Sequence, residues 1–349
     1  MINLLIGLLG VLASTNQPVA ASNLVVQTTG VEVPSSGTNA AVEKEYQKLV
    51  DDDEAAQAEV DKWITENREF AAKGAAAPNA ELNRRIRERF QPIRKGYEDF
   101  IARHPNHAKA RVAFASFLGD IGDEDEEQTQ LEKALELNQK DPAIYNNLAN
   151  IYGHHGPVKT AFEYYQKAIE LNPLEPVYYH NFGTTVFLFR VDAKEYYGIT
   201  EQQVFDKALA LYEKAMKFDP TNFPLASDVA QTYYGIKPNR TEDALRSWTN
   251  ALNIAHDELE REGVYIHLAR IKLHDGRFAE AHAHLNAITN PAYGDLKNRL
   301  TRNLADLEKQ ARETNAPPEA ATQGSNSTPN LPAIAKPPPA ESEDGKKLR

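Results

Sequence analysis

The sequence predicts an all-α protein: a solenoid of stacked antiparallel helix pairs, with a helical hairpin before it and a cap helix after it. Three observations predict this. Residues 142–175, PAIYNNLANIYGHHGPVKTAFEYYQKAIELNPLE, form a complete 34-residue helix–turn–helix unit. Related units flank it in phase on both sides. Amphipathic segments stand at both ends, where a stack of such units must be covered.

Residues 1–21 come first. An apolar run leads to small residues at Val19, Ala20 and Ala21, which reads as an export signal cut near Ala21, with a periplasmic or envelope destination. The usual positive start is missing, since no Lys or Arg precedes Lys44; a cytoplasmic chain is the alternative. The run falls far short of the roughly 20 residues needed for a stable membrane span. Residues 22–41, with Pro34, Ser35, Ser36 and Gly37, read as a polar linker. Residues 42–104 form an N-terminal helical segment. Its first helix, over 42–73, draws an apolar face from Tyr46, Leu49, Val60, Trp63, Ile64 and Phe70, and the run Gly74–Asn79 breaks it. Its second helix, from about Ala80 to Arg103, contains Pro92, a residue that can kink or split a helix. Together they make an antiparallel hairpin over the open end of the array.

The array itself is expected over 105–294. In the central unit Tyr145, Leu148, Ala149 and Tyr152 share one stripe of the first helix, at spacings of three and four. Ala161, Tyr165 and Ala168 form the facing stripe of the second. Gly156 permits the turn, Pro157 opens the second helix, and Pro173 closes the unit. Alanines at 149 and 161 allow close helix approach, and the large residues fill the gaps around them. Upstream, Phe114-Ala115, Leu118, Gly122, Leu131 and Ala134 repeat the phase. Downstream it returns at Tyr179, Phe182-Gly183, Val186, Ala208, Tyr212, Ala215 and Pro220. It continues through Val229-Ala230, Tyr233, Ala244, Trp248 and Ala251, then Tyr265, Leu268-Ala269, Gly276, Phe278, Ala281 and Leu285. That makes about five units. The third carries an insert over 187–207, about 13 residues beyond the regular spacing, rich in Phe187, Phe189, Tyr196, Tyr197, Ile199 and Phe205. These aromatics either pack beneath a lengthened hairpin, the favoured reading, or bring Tyr196 and Tyr197 into a binding groove.

Residues 295–314 place Leu296, Leu300, Leu304 and Leu307 on one stripe, as a capping helix does. Residues 315–349, rich in Pro, Ala, Ser and Asn, have the composition of a disordered tail.

The residues Leu148-Ala149, Tyr152, Gly156, Ala161, Tyr165, Ala168 and Pro173 resemble the tetratricopeptide repeat (TPR) family. The resemblance implies a right-handed superhelix whose concave groove, lined by first helices, holds a peptide or a partner's helix. It assigns Asn146, Asn147, Asn150, His180, Asn181, Thr184 and Asp228 to that groove. Asparagine amides there can both donate to and accept from an extended backbone. Some family members hold a chain-terminal carboxylate with paired asparagines and cations. Asn147 and Asn181 match asparagine positions, but position 177 is valine and the expected cations are missing. The chain also departs from the family at Glu127 (small residue expected), Gln139 (proline), Lys272 (aromatic) and Ile288 (alanine).

Composition narrows the function further. The net charge is −11, with acidic residues spread through the helices, which argues against a nucleic-acid groove. Arg84–Arg94 is the one dense basic stretch; it is either a solvated helix face or a docking site for an acidic partner. The chain has no cysteine, so disulfides and thiol chemistry are excluded. His282 and His284 lie two apart and point to different helix faces, and two histidines make no complete metal site. No phosphate loop, nucleophile elbow or zinc-protease motif is present, and no cofactor is expected. The expectation is a non-catalytic interaction scaffold for a protein or peptide. The alternatives are a self-assembling structural protein and, least favoured, an enzyme with an unrecognised site.

Overall fold

The computed structural model describes residues 40–72 and 78–315. The export signal at 1–21, almost all of the linker at 22–41 and the tail beyond 315 lie outside the described residues. The linker's last two positions, Ala40 and Ala41, begin the first helix.

Among the described residues there are 14 α-helices and no strand. The hairpin is α1 (Ala40–Ala72) and α2 (Asn79–Arg103). Five helix pairs follow: α3 (Ala108–Asp120) with α4 (Glu124–Leu137), and α5 (Pro142–His155) with α6 (Val158–Leu171). In the third, α7 (Pro176–Leu188) pairs with α9 (Glu201–Phe218), and the insert supplies α8 (Arg190–Tyr197) between them. The last two are α10 (Phe223–Thr232) with α11 (Thr241–Asn253), and α12 (Glu258–His274) with α13 (Phe278–Ala287). Helix α14 (Gly294–Asn315) closes the stack.

The same local signals start and stop these helices. Asp141, Glu175 and Asn222 each accept a backbone N–H at a helix start, and each of those helices has proline in its first turn, where a missing donor is harmless. Gly122, Gly156 and Gly276 turn between first and second helices with φ between 74° and 77°, which a side chain would resist. Pro92 does not split α2, which runs unbroken from Asn79 to Arg103. Ile93, Tyr97 and Phe100, all buried just beyond it, hold the helix against α1 and α3.

Packing joins each unit to the next. Tyr165 of α6 is fully buried and stacks on Phe182 of α7, with ring centroids 5.4 Å apart. The hairpin covers the first unit: Ala56, Ile93 and Tyr97 enclose Phe114, Phe117 and Leu118. The Tyr97 hydroxyl donates to the buried Asp53 carboxylate at 2.8 Å, pinning α2 to α1. At the other end Leu300 and Leu304 of α14 cover Ile266, Ala269, Leu273 and Leu285. Ile288 is buried in that same cluster, which explains a large residue where the repeat has alanine. Glu127 is accommodated differently. A Cβ on Gly119 would meet its carboxylate at 2.8–3.0 Å, so glycine on α3 makes the room that a small residue on α4 normally provides. Burial, then the charges of Glu124 and Asp120, push the Glu127 carboxyl up to about 7.

Close approach of α7 and α9 makes a specific demand at Gly183. A Cβ there would lie 3.0 Å from the Tyr212 ring and 3.2 Å from the Ala208 carbonyl oxygen, and backbone cannot step aside cheaply. Gly183→Ala is expected to destabilise the fold by about 1–3 kcal/mol, measured by urea denaturation. An unchanged midpoint would show that the two helices have slack.

Candidate functional site

First helices α5, α7 and α10 carry all seven residues assigned to the groove, and the fold brings most of them into contact. Asn146 donates through Nδ2 to Asn147 Oδ1, and Asn181 of α7 donates to Asn146 Oδ1, each at 3.2 Å. His180 Nε2 lies 3.3 Å from Asp228 Oδ2, linking α7 to α10. Asn150 Oδ1 accepts from the Tyr165 hydroxyl at 2.6 Å. That hydroxyl in turn accepts from Thr185 of α7 at 3.1 Å, so one tyrosine ties two units together. Thr184 accepts from the Tyr212 hydroxyl of α9 at 3.0 Å.

The exposure of these groups divides them. Asn146, His180, Asn181 and Thr184 are buried, whereas Asn147, Asn150 and Asp228 are half-buried. Asn146, Asn181 and Thr184 form a hydrogen-bonded floor between helices with His180 buried beside them, and the other three keep part of their surface in solvent. The floor is not fully satisfied. Asn181 Oδ1 and His180 Nε2 are buried without a hydrogen-bond partner, the latter although it lies 3.3 Å from Asp228 Oδ2. Such atoms cost folding free energy, about 1–3 kcal/mol each.

Tyr196 and Tyr197 lie elsewhere. Both rings pack on Phe162 of α6, at 5.4 and 5.8 Å, and Gln166 of α6 donates to the Tyr197 hydroxyl. Lys207 of α9 sits 4.1 Å over the Tyr197 ring. Their contacts are with second helices, so the geometry is that of packing beneath a lengthened hairpin. Three of the five arginines of the basic stretch are paired locally: Arg84 with Glu81 and Glu88, Arg89 with Glu59, and Arg94 with Asp123 and Glu98. His282 and His284 diverge, one toward Glu308 and the other toward Lys272. Among the described residues, no three His, Asp or Glu side chains are grouped to hold a metal.

Reading the chain as repeats missed the hydroxyls of Tyr165, Tyr212 and Thr185, which are partners for the polar line as well as packing groups. It also missed the fourth unit's aromatic stack. His267 of α12 lies parallel to Trp248 at 3.9 Å and is hydrogen-bonded to Tyr234 at 3.0 Å. Burial, then the Arg270 charge, lower its pKa to about 3.

A tetratricopeptide-repeat family model matches residues 131–161, from mid-α4 through α5 into α6. The pairs on either side keep its phase. That stretch is a tetratricopeptide repeat. The chain is similar to several solved TPR structures over part of its length. One is TTC0263, a thermophilic TPR protein of Thermus thermophilus, at 22% identity over 57% of this chain and 99% of that one, TM-score 0.41. Another is YrrB, described as a TPR protein with an unusual peptide-binding site, at 14% identity over 62% and 97%, TM-score 0.42. A third is PilW, a type IV pilus biogenesis factor, at 13% identity over 71% and 92%, TM-score 0.49. No curated protein matches the chain.

The His267 stack makes stability pH-dependent. Its folded pKa, about 3, lies below the ordinary 6.5, so the unfolded chain binds the proton more readily. Its contribution is fully present above pH 6.5 and is lost as pH falls from there toward 3. His267→Phe is expected to flatten the acid limb of a melting-temperature profile in that window. An identical acid limb in the variant would show that other groups cause it.

Proposed function

We propose that the chain is a non-catalytic protein-interaction scaffold that holds a peptide or a partner's helix along the first helices α5, α7 and α10. The hydrogen-bonded line from Asn147 through Asn146 to Asn181, with the His180–Asp228 pair beside it, supports this reading, because these groups stand on the first helices of three successive units. Its reachable members, Asn147, Asn150 and Asp228, offer amide and carboxylate groups of the kind that pair with a peptide backbone. Nothing in the line has the arrangement of a nucleophile beside a base. We also propose export, on the apolar start and the small residues Val19, Ala20 and Ala21. Sequencing the N-terminus of the purified protein tests it, and a retained Met1 overturns it. Among the described residues, no helix is long and apolar enough to cross a membrane.

Affinity capture with the full chain, from an extract of its own cells, tests the groove. The variant Asn147→Asp with Asp228→Asn alters two reachable groups and keeps the oxygen to which the buried Asn146 amide donates. Capture is expected to fall about tenfold, while the melting temperature stays close to that of the unaltered chain. Undiminished capture by this variant rejects the assigned surface.

A further inference from the structure

Helix α2 carries one pattern twice, seven residues apart: Ile86, Arg87 and Phe90, then Ile93, Arg94 and Tyr97. Seven residues make nearly two helical turns, so both sets lie on the same face, about 10 Å apart along the helix. The first repeat unit covers the inner set. Ile93 and Tyr97 are buried against Phe114, Phe117 and Leu118 of α3, and Tyr97 stacks on Phe114 at 5.3 Å. Arg94 donates to Asp123, in the turn after α3, at 2.8 Å. Where it is covered, then, this pattern receives the end of a helix that bears aromatic rings and is followed by a carboxylate.

The outer set repeats the chemistry without that cover. Phe90 meets Phe117 edge-on at 5.6 Å and stays half-buried. Ile86 and, one turn further out, Leu82 are also half-buried, and Arg87 is exposed. Arg94 has a second carboxylate in Glu98, four residues on; the matching position for Arg87 is Gln91, which is uncharged. The other arginines of this stretch are engaged: Arg84 and Arg89 by acids, and Arg85 over the Trp63 ring at 3.6 Å. Among the described residues no acid forms a salt bridge with Arg87. An apolar strip beside an unneutralised guanidinium thus continues the interface that α2 already makes with α3.

We infer that the outer half of this α2 face docks a helix end of a partner protein, one that carries aromatic residues and then a carboxylate, as α3 does on the inner half. The rings cover Leu82, Ile86 and Phe90, and the carboxylate pairs with Arg87. The α3 of a second copy is not the occupant, because its Phe114, Phe117 and Leu118 are buried within their own array. The surface lies on the N-terminal hairpin and does not depend on the first-helix line of α5, α7 and α10.

The test is fluorescence anisotropy of the full chain with a labelled, C-terminally amidated peptide of residues 108–123, which holds the α3 sequence and its turn. The peptide is expected to bind and to protect amides within 80–90 from hydrogen exchange. Two altered peptides are expected to bind at least about tenfold more weakly, one with Phe114→Ser and Phe117→Ser, the other with Asp123→Asn. In the protein, Arg87→Glu is expected to weaken the parent peptide at least about tenfold at an unchanged melting temperature, and to regain binding with an Asp123→Arg peptide. Asn147→Asp with Asp228→Asn is expected to leave this binding unchanged, which separates it from the first-helix reading. No binding of the parent peptide, unaltered affinity in Arg87→Glu, equal binding of either weakened peptide, or protection confined to other helices overturns the proposal.

Discussion

Close approach of paired helices through residues with almost no side chain is the constraint on which the rest of this structure depends. Ala149 and Ala161 in the second unit, Gly183 and Ala208 in the third, and Ala230 and Ala244 in the fourth let the paired backbones come close together. A ring then fills the remaining space from one side: Tyr165, Tyr212 or Trp248, each fully buried. Because Tyr165 lies against Phe182 of the following unit, the core of one pair is completed by its neighbour. No pair encloses its own apolar surface, so the ends need covers, which α1–α2 and α14 provide.

That same closeness buries polar groups. Once α5 and α7 are this near, Asn146, Asn181 and Thr184 lose water and must find partners within the protein. Tyrosine hydroxyls whose rings serve the apolar core supply several of them, so packing and hydrogen bonding are met by the same side chains. What remains reachable is a thin edge of this network. Asn147 on that edge is already oriented by its buried neighbour Asn146.

Departures from the repeat are absorbed in three different ways. Glu127 is paired with a glycine that makes room for it. The insert becomes helix α8 with an aromatic pad against Phe162, and Gly198 at φ 62° lets the chain turn back into α9. Lys272 is met by polar partners, His284 at 3.0 Å and Glu280 at 2.8 Å.

By itself the sequence determined the helix pairs, their order and their phase, since these follow from spacings of three and four, from proline and glycine at the turns, and from small residues at fixed positions. It also determined which residues stand on the first helices, Asn146, Asn147, Asn181 and Asp228 among them. Only the tertiary structure decided which of these are buried, that Asn181 bonds to Asn146 thirty-five residues away, and that Tyr196 and Tyr197 belong to packing. It likewise decided that Arg84 and Arg94 are neutralised by nearby acids, and that Pro92 leaves its helix whole. The physical reason is one of range. Helix periodicity is written within a few residues, whereas burial and pairing depend on side chains from other helices, whose arrival is set by the packed stack.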